Sequence, residues 1–190
     1  LSHPKILVLA GSTRKESFNR KLAAAAARSL TQAGAQVTHV ELSDYPMPLY
    51  NQDEEAATGL PDGAQRLQDL FMEHHGLLLA CPEYNSSLTP LLKNTIDWLS
   101  RANGDRRGQA AFQGKVAALV SASAGALGGL RGLRHVREIL GNLGVIVLPG
   151  QLALGTAQSA FTPEGGLADE KQAASLDGVT KPLVDLLSKL

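Results

Sequence analysis

The sequence predicts an α/β three-layer sandwich: a five-stranded parallel sheet of order 2-1-3-4-5 with helices on both faces. Three observations predict it. Five short apolar runs alternate with amphipathic segments along the chain, the signature of βα units. The central runs are apolar on both faces, as buried parallel strands are. The length of 190 residues suits one domain, taken here as residues 1–190, rather than two.

The elements follow in order. Residues 6–10 (Ile-Leu-Val-Leu-Ala) end at Gly11 and read as the first strand. Phe18, Leu22, Ala26 and Leu30 recur every four residues and mark a helix. Residues 36–41 read as strand two. Residues 43–62 hold three prolines and read as a long loop. Residues 64–75 read as helix and 77–80 as strand three, stopped at Cys81-Pro82. Pro90 suits the first turn of the next helix, whose apolar stripe includes Leu92, Ile96, Trp98 and Leu99. There Trp98 packs in the stripe, with a subunit contact as an alternative. Residues 101–114 read as a polar loop and 116–120 as strand four. A helix over 130–143 and a strand over 145–148, stopped by Pro149, complete the repeat. A last helix starts near Asp169, with a kink or break expected at Gly178 and Pro182.

Composition narrows the function. Lys plus Arg and Asp plus Glu number 18 each, for a formal net charge of zero. That argues against a partner held mainly by phosphate attraction, so no nucleic acid is expected. The single cysteine, Cys81, excludes an intramolecular disulfide and a four-cysteine metal site, and it reads as a buried inert thiol. No apolar run reaches the ~18 residues of a membrane span, and the first residues lack the apolar stretch of a signal peptide. A cytoplasmic protein without a membrane span is expected. His74 and His75 are helix neighbours that point apart, so a helix C-terminal contact is the better reading than a metal pair.

In parallel sheets of this kind ligands bind at the carboxyl ends of the strands. Three loops should converge there. The first, Gly11-Ser-Thr-Arg-Lys-Glu-Ser-Phe-Asn19, opens a helix. Its amides, the hydroxyls of Ser12, Thr13 and Ser17 and the Arg14 fork suit a phosphate. The alternative is simple capping by Ser17 with Arg14 in solvent. The loop lacks G-x-G-x-x-G and G-K-[ST], which excludes the dinucleotide and triphosphatase fingerprints. The second loop, Pro82-Glu-Tyr-Asn85, offers Tyr84 as a stacking surface and Asn85 with neighbouring amides as edge donors. A plain turn with Tyr84 over the core edge explains the same residues. The third, Ser121-Ala-Ser-Ala-Gly-Ala-Leu-Gly-Gly129, is nearly free of bulk. It lets backbone approach a ligand or serves as a flexible connection. Hydrolysis through Ser123 fails the G-x-S-x-G pattern, and no histidine follows His135.

Taken together, Gly11-Ser-Thr-Arg-x-x-Ser-x-Asn19, Pro82-Glu-Tyr-Asn-x-Ser87 with Leu92-Lys-Asn-x-Ile-Asp-Trp98, and Ser121-x-Ser-x-Gly-x-x-Gly-Gly129 resemble the NADPH-dependent FMN reductase family, which includes quinone, azo-dye and chromate reductases. The similarity runs from about Lys5 to Pro149. It implies a flavodoxin-like fold, bound FMN, NADPH (or NADH) as hydride donor, and a homodimer or homotetramer with flavin near the subunit contact. By the same resemblance Ser12, Arg14, Ser17 and Asn19 match the FMN phosphate loop. Pro82, Glu83, Tyr84 and Asn85 match the segment along the isoalloxazine and ribityl chain. Ser121, Ser123 and Gly125 match the third contacting loop. The implied enzyme passes reducing equivalents through FMN N5 to a small electron acceptor (quinone, azo compound, flavin or metal oxyanion) in ping-pong fashion, with no separate catalytic side chain. The rival is a non-enzymatic flavodoxin-type carrier, which the absence of net negative charge disfavours. A third class is a module that only holds a phosphorylated ligand.

Overall fold

The computed structural model describes residues 2–190. Its elements are β1 (Lys5–Ala10), α1 (Phe18–Gln32), β2 (Gln36–Val40), α2 (Gln52–Thr58), α3 (Asp62–Glu73), β3 (Gly76–Ala80), β4 (Glu83–Tyr84), β5 (Ser87–Leu88), α4 (Pro90–Leu99), β6 (Val116–Ala122), α5 (Leu130–Asn142), β7 (Ile146–Leu154) and α6 (Glu170–Lys189). Five strands form one sheet of order β2-β1-β3-β6-β7, with every neighbouring pair parallel. That is the predicted 2-1-3-4-5 order, with a small antiparallel hairpin, β4–β5, inserted after the third strand.

Alternation along β1 divides the core. Ile6 and Val8 face α1 and α6, packing with Leu22, Ala26, Leu30, Leu183 and Leu187. Leu7 and Leu9 face the opposite layer, with Leu67, Phe71, Leu92, Ile96, Val136 and Leu140. The alanines of α1 keep that helix close to the sheet, because small side chains shorten the interaxial distance. Caps sit where helix chemistry requires them. Ser17 accepts from Arg20 N–H at α1, Thr89 from Leu92 N–H at α4, and Asp169 from Gln172 N–H at α6.

Two expectations need correction, and two pairs of alternatives are narrowed. The fifth strand does not stop at Pro149 but runs on to Leu154. β7 lies at the sheet edge, and its register on β6 shifts between Ala117 and Leu119. Edge position and register shift are the settings in which a sheet tolerates a proline. Arg137 supports the irregular stretch by donating to the carbonyls of Val147 and Leu148 and to Gln151. The segment 43–62 is not all loop, since it holds α2. Of the kink or break expected in the last helix, the break is excluded, since the helix is continuous through Gly178 and Pro182. Trp98 is 1% exposed. It is sealed by the chain itself, donating Nε1–H to Pro48 O at 2.8 Å and meeting Tyr50 edge-on, so its ring is not available to a second subunit.

The two histidines at the end of α3 point to different partners. The His74 ring bonds Leu70 O and Thr38 Oγ1, a helix C-terminal carbonyl contact as expected. His75 Nδ1 accepts from Lys5 N–H. Cys81 is fully buried, and burial pushes its thiol pKa far up, which leaves it unreactive. Among the described residues no helix is long and apolar enough to cross a membrane.

Candidate functional site

The carboxyl ends of β1, β3 and β6 open into a groove made of two adjoining hollows of about 360 and 200 Å³. Ser12, Arg14 and Tyr84 belong to both. One hollow continues over Thr13, Thr89 and Leu91, the other over Ser17, Phe18, Asn19, Pro82 and Ser123.

The first loop is fixed at its root. Gly11 N–H donates to Ala80 O at 2.9 Å, and Thr89 Oγ1 donates to Gly11 O at 2.8 Å. A Cβ on Gly11 would stand 2.9 Å from Leu92 Cβ and 3.1 Å from Pro82 Cδ. Only glycine lets the chain turn so close to α4. Beyond this root the loop turns through Ser17 N–H to Arg14 O and enters α1 at the Ser17 cap. Among the described residues nothing accepts a hydrogen bond from the N–H of Ser12, Thr13, Lys15 or Glu16, and no hydrogen bond or ion pair holds the Arg14 guanidinium. Lys15 and Glu16 sit in the exposed turn that leads into the helix, while Ser12, Thr13 and the unpaired Arg14 line the groove beside the N-terminus of α1. That donor set fits a phosphate dianion.

The second loop is a hairpin. Glu83 pairs with Leu88 and Tyr84 with Ser87, and the turn residues Asn85 and Ser86 both have positive φ, 49° and 66°, as tight hairpin turns demand. Tyr84 stands 55% exposed over the groove. Its ring offers a flat apolar surface beside the phosphate-type rim. The Glu83 carboxylate is held by α5. Its Oε1 accepts from Arg131 Nε and Nη2, and its Oε2 from Gly132 N–H. Burial opposes ionisation of Glu83, but these donors outweigh it and hold the carboxyl below its ordinary range.

The third loop stacks against the others through backbone. The Asn19 amide donates to Ala122 O at 2.8 Å and accepts from Ala122 N–H at 3.0 Å, tying α1 to the end of β6. Ser121 is wholly buried and donates to Gly128 O. Ser123 Oγ accepts from Gly125 N–H.

Of the sequence-predicted residues, the structure brings Ser12, Arg14, Ser17, Asn19, Pro82, Glu83, Tyr84 and Ser123 to the groove. It leaves Asn85, Ser121 and Gly125 outside the lining, at the hairpin tip, buried at the end of the interior strand β6 and in the third loop. Thr89, Pro90 and Leu91 line the groove without having been singled out. The Thr-Pro pair at a helix start was their visible signal.

Fold and site together define an α/β protein of flavodoxin-like architecture with an anion-ready rim beside an aromatic platform. The profile of the NADPH-dependent FMN reductase family matches residues 4–159. An NAD(P)H-dependent FMN reductase of Pseudomonas aeruginosa is 37% identical over 168 residues, covering 88% of this chain and 86% of that protein. A quinone reductase of Pseudomonas putida is 39% identical over 167 residues, covering 87% and 85%. Among solved structures, the flavoenzyme NAD(P)H:(acceptor) oxidoreductase FerB of Paracoccus denitrificans superposes with a TM-score of 0.84 at 28% identity, over 98% of both chains. The chain belongs to the NADPH-dependent FMN reductase family and is an oxidoreductase.

Proposed function

We propose that this chain holds FMN in the groove between the 11–17 loop and the β4–β5 hairpin and reduces a small acceptor with NADPH or NADH. The observation that carries the reading is the set of unanswered donors at the first loop. The groove-lining amides of Ser12 and Thr13 and the Arg14 guanidinium suit a dianionic group at the mouth of α1. Ser12, Arg14 and Ser17 take the phosphate, and Asn19 holds the cradle shut by its two bonds to Ala122. Pro82, Tyr84 and the backbone of Glu83 and Asn85 run along the ring system, while Ser123 stands in the third wall, with Ser121 and Gly125 holding that loop's backbone behind it.

When bound, FMN supplies the hydride chemistry at N5 that no side chain here provides. The protein's part is binding, orientation and electrostatics. Amides near Tyr84 and Asn85 stabilise negative charge on the ring edge. The groove opens outward over Tyr84, so donor and acceptor use one face in turn, which gives ping-pong kinetics. A face that shallow admits a quinone, an azo compound, a flavin or a metal oxyanion. The quinone class has the added support of the Pseudomonas putida relative's name. Exposed Leu127 and Leu130, 53% and 38% accessible beside the third loop, support a homodimer or homotetramer with a subunit contact near the groove.

Arg14→Ala removes the charged fork while leaving every described contact of the fold in place. A charge-assisted bond to phosphate is worth about 1.5–3 kcal/mol, so FMN affinity should fall roughly ten- to a hundredfold with unchanged circular dichroism. Fluorescence titration of FMN measures it, and unaltered affinity would sink the phosphate role. In the same preparation, anaerobic NADPH should bleach the flavin absorbance. A flavin that stays yellow marks a carrier rather than a reductase.

A further inference from the structure

The hairpin that carries Tyr84 is too small to set its own position. Each strand has two residues and the turn has two, and an isolated hairpin of that size has no stability in water. Its place must come from ties to the rest of the molecule. Those ties run to the N-terminus of α5. That helix begins after Gly129, which has no capping side chain, so its first N–H groups need another acceptor. The Glu83 carboxylate supplies it from the hairpin, accepting Gly132 N–H at 2.9 Å and Arg131 Nε at 2.9 Å and Nη2 at 2.6 Å. The Glu83 side chain is 8% exposed. Gly132 permits the approach, because a Cβ there would lie 3.2 Å from Ser87 O and 3.4 Å from Glu83 Cβ. Ser87 adds a second tie, hydrogen bonding His135 Nδ1 at 2.8 Å on the next turn of α5.

We propose that Glu83 is a positioning residue: its carboxylate caps α5 from outside the helix and thereby fixes the hairpin, and with it the Tyr84 ring, at the groove. The Glu83 carboxylate then serves the ligand through the hairpin it holds and not by touching it. The acid is suited to the task in both directions. A negative group at a helix N-terminus is stabilised by the aligned peptide dipoles, and a carboxylate accepts from a guanidinium and an amide at once. The link from hairpin to ligand rests on the reading that FMN occupies this groove. The link from Glu83 to hairpin does not.

Two measurements on the full chain separate these links. The first is hydrogen exchange of amides 84–88, without added FMN, in Glu83→Ala and Glu83→Gln. Loss of a charge-assisted network should speed hairpin exchange about tenfold or more in Glu83→Ala, with strand β3 unchanged. Glu83→Gln keeps an acceptor for Gly132 N–H and should restore part of the protection. The second is a double-mutant cycle on FMN affinity with Tyr84→Ala. Glu83→Ala should weaken FMN about tenfold when Tyr84 is present and by a clearly smaller factor when it is absent, where only the hairpin backbone is left to be displaced. Unchanged hairpin exchange would overturn the proposal, as would an equal loss of affinity in both backgrounds. If FMN lies elsewhere, Arg14→Ala leaves its affinity unaltered as well, and hairpin exchange alone still decides whether Glu83 holds the hairpin.

Discussion

Asn19 shows how a residue beside a ligand groove can be occupied by the protein. Its amide meets both the N–H and the C=O of Ala122, a residue 103 positions away, and its side chain is nearly inaccessible. The pair closes α1 onto β6 at the mouth of the groove. Substitution by alanine strands two buried backbone groups with no replacement partner. Each such group costs about 1–3 kcal/mol, so Asn19→Ala should lower stability by roughly 2–6 kcal/mol. Urea unfolding without FMN measures this apart from ligand affinity, and an unshifted midpoint would refute the structural role. Ser121 is similar: its hydroxyl is committed to Gly128 O. Arg14 is the opposite case, a charged group that the fold leaves unanswered. Sequence places all three in candidate loops, yet it cannot separate them, because the partners that occupy Asn19 and Ser121 are set by tertiary packing.

At the scale of elements, α6 combines two helix-breaking residues without breaking. Pro182 removes one backbone donor and its ring presses on the carbonyl one turn earlier. That carbonyl belongs to Gly178, and both residues lie on the exposed face. The glycine carbonyl can tilt outward to water, so the helix continues and buries Leu183, Val184 and Leu187. Pro182→Ala should therefore stabilise the protein, by about 2–3 kcal/mol from helix propensity. The expected readout is a higher thermal midpoint, and a lowered one would show that the proline meets a need elsewhere. The same contrast explains what was legible in the sequence. β1, β3 and β6 are continuous apolar runs because both faces are buried, so composition alone finds them. α4 and α5 announce themselves by their stripes. α2 buries no residue and thus has no stripe to read. The β4–β5 hairpin is shorter than any period can register. β7 passes through a proline that only its edge position makes tolerable. The groove itself was legible as three loops, whereas the commitment of the Glu83 carboxylate to α5 depends on a helix nearly fifty residues downstream.

The whole molecule balances 18 basic against 18 acidic side chains, and many meet in surface pairs. Arg20 lies on Glu41, Arg101 on Glu55, Arg106 on Asp69 and Lys181 on Asp177. Paired charges cancel at a distance, so no long-range field of one sign surrounds the groove. An electron carrier that must find a protein partner depends on such a field, and its encounter rate falls steeply as salt shortens the Debye length from ~30 Å at 0.01 M to ~10 Å at 0.1 M. An enzyme that takes small acceptors over an open face has no such dependence. For a neutral quinone, kcat/KM should change less than about twofold over that salt range. A metal oxyanion should respond more, because its own charge interacts with the individual charged groups around the groove. Measuring both acceptors in the same salt series tests the argument: a tenfold fall for the neutral quinone would show that a charged encounter surface, absent from this charge pattern, governs turnover.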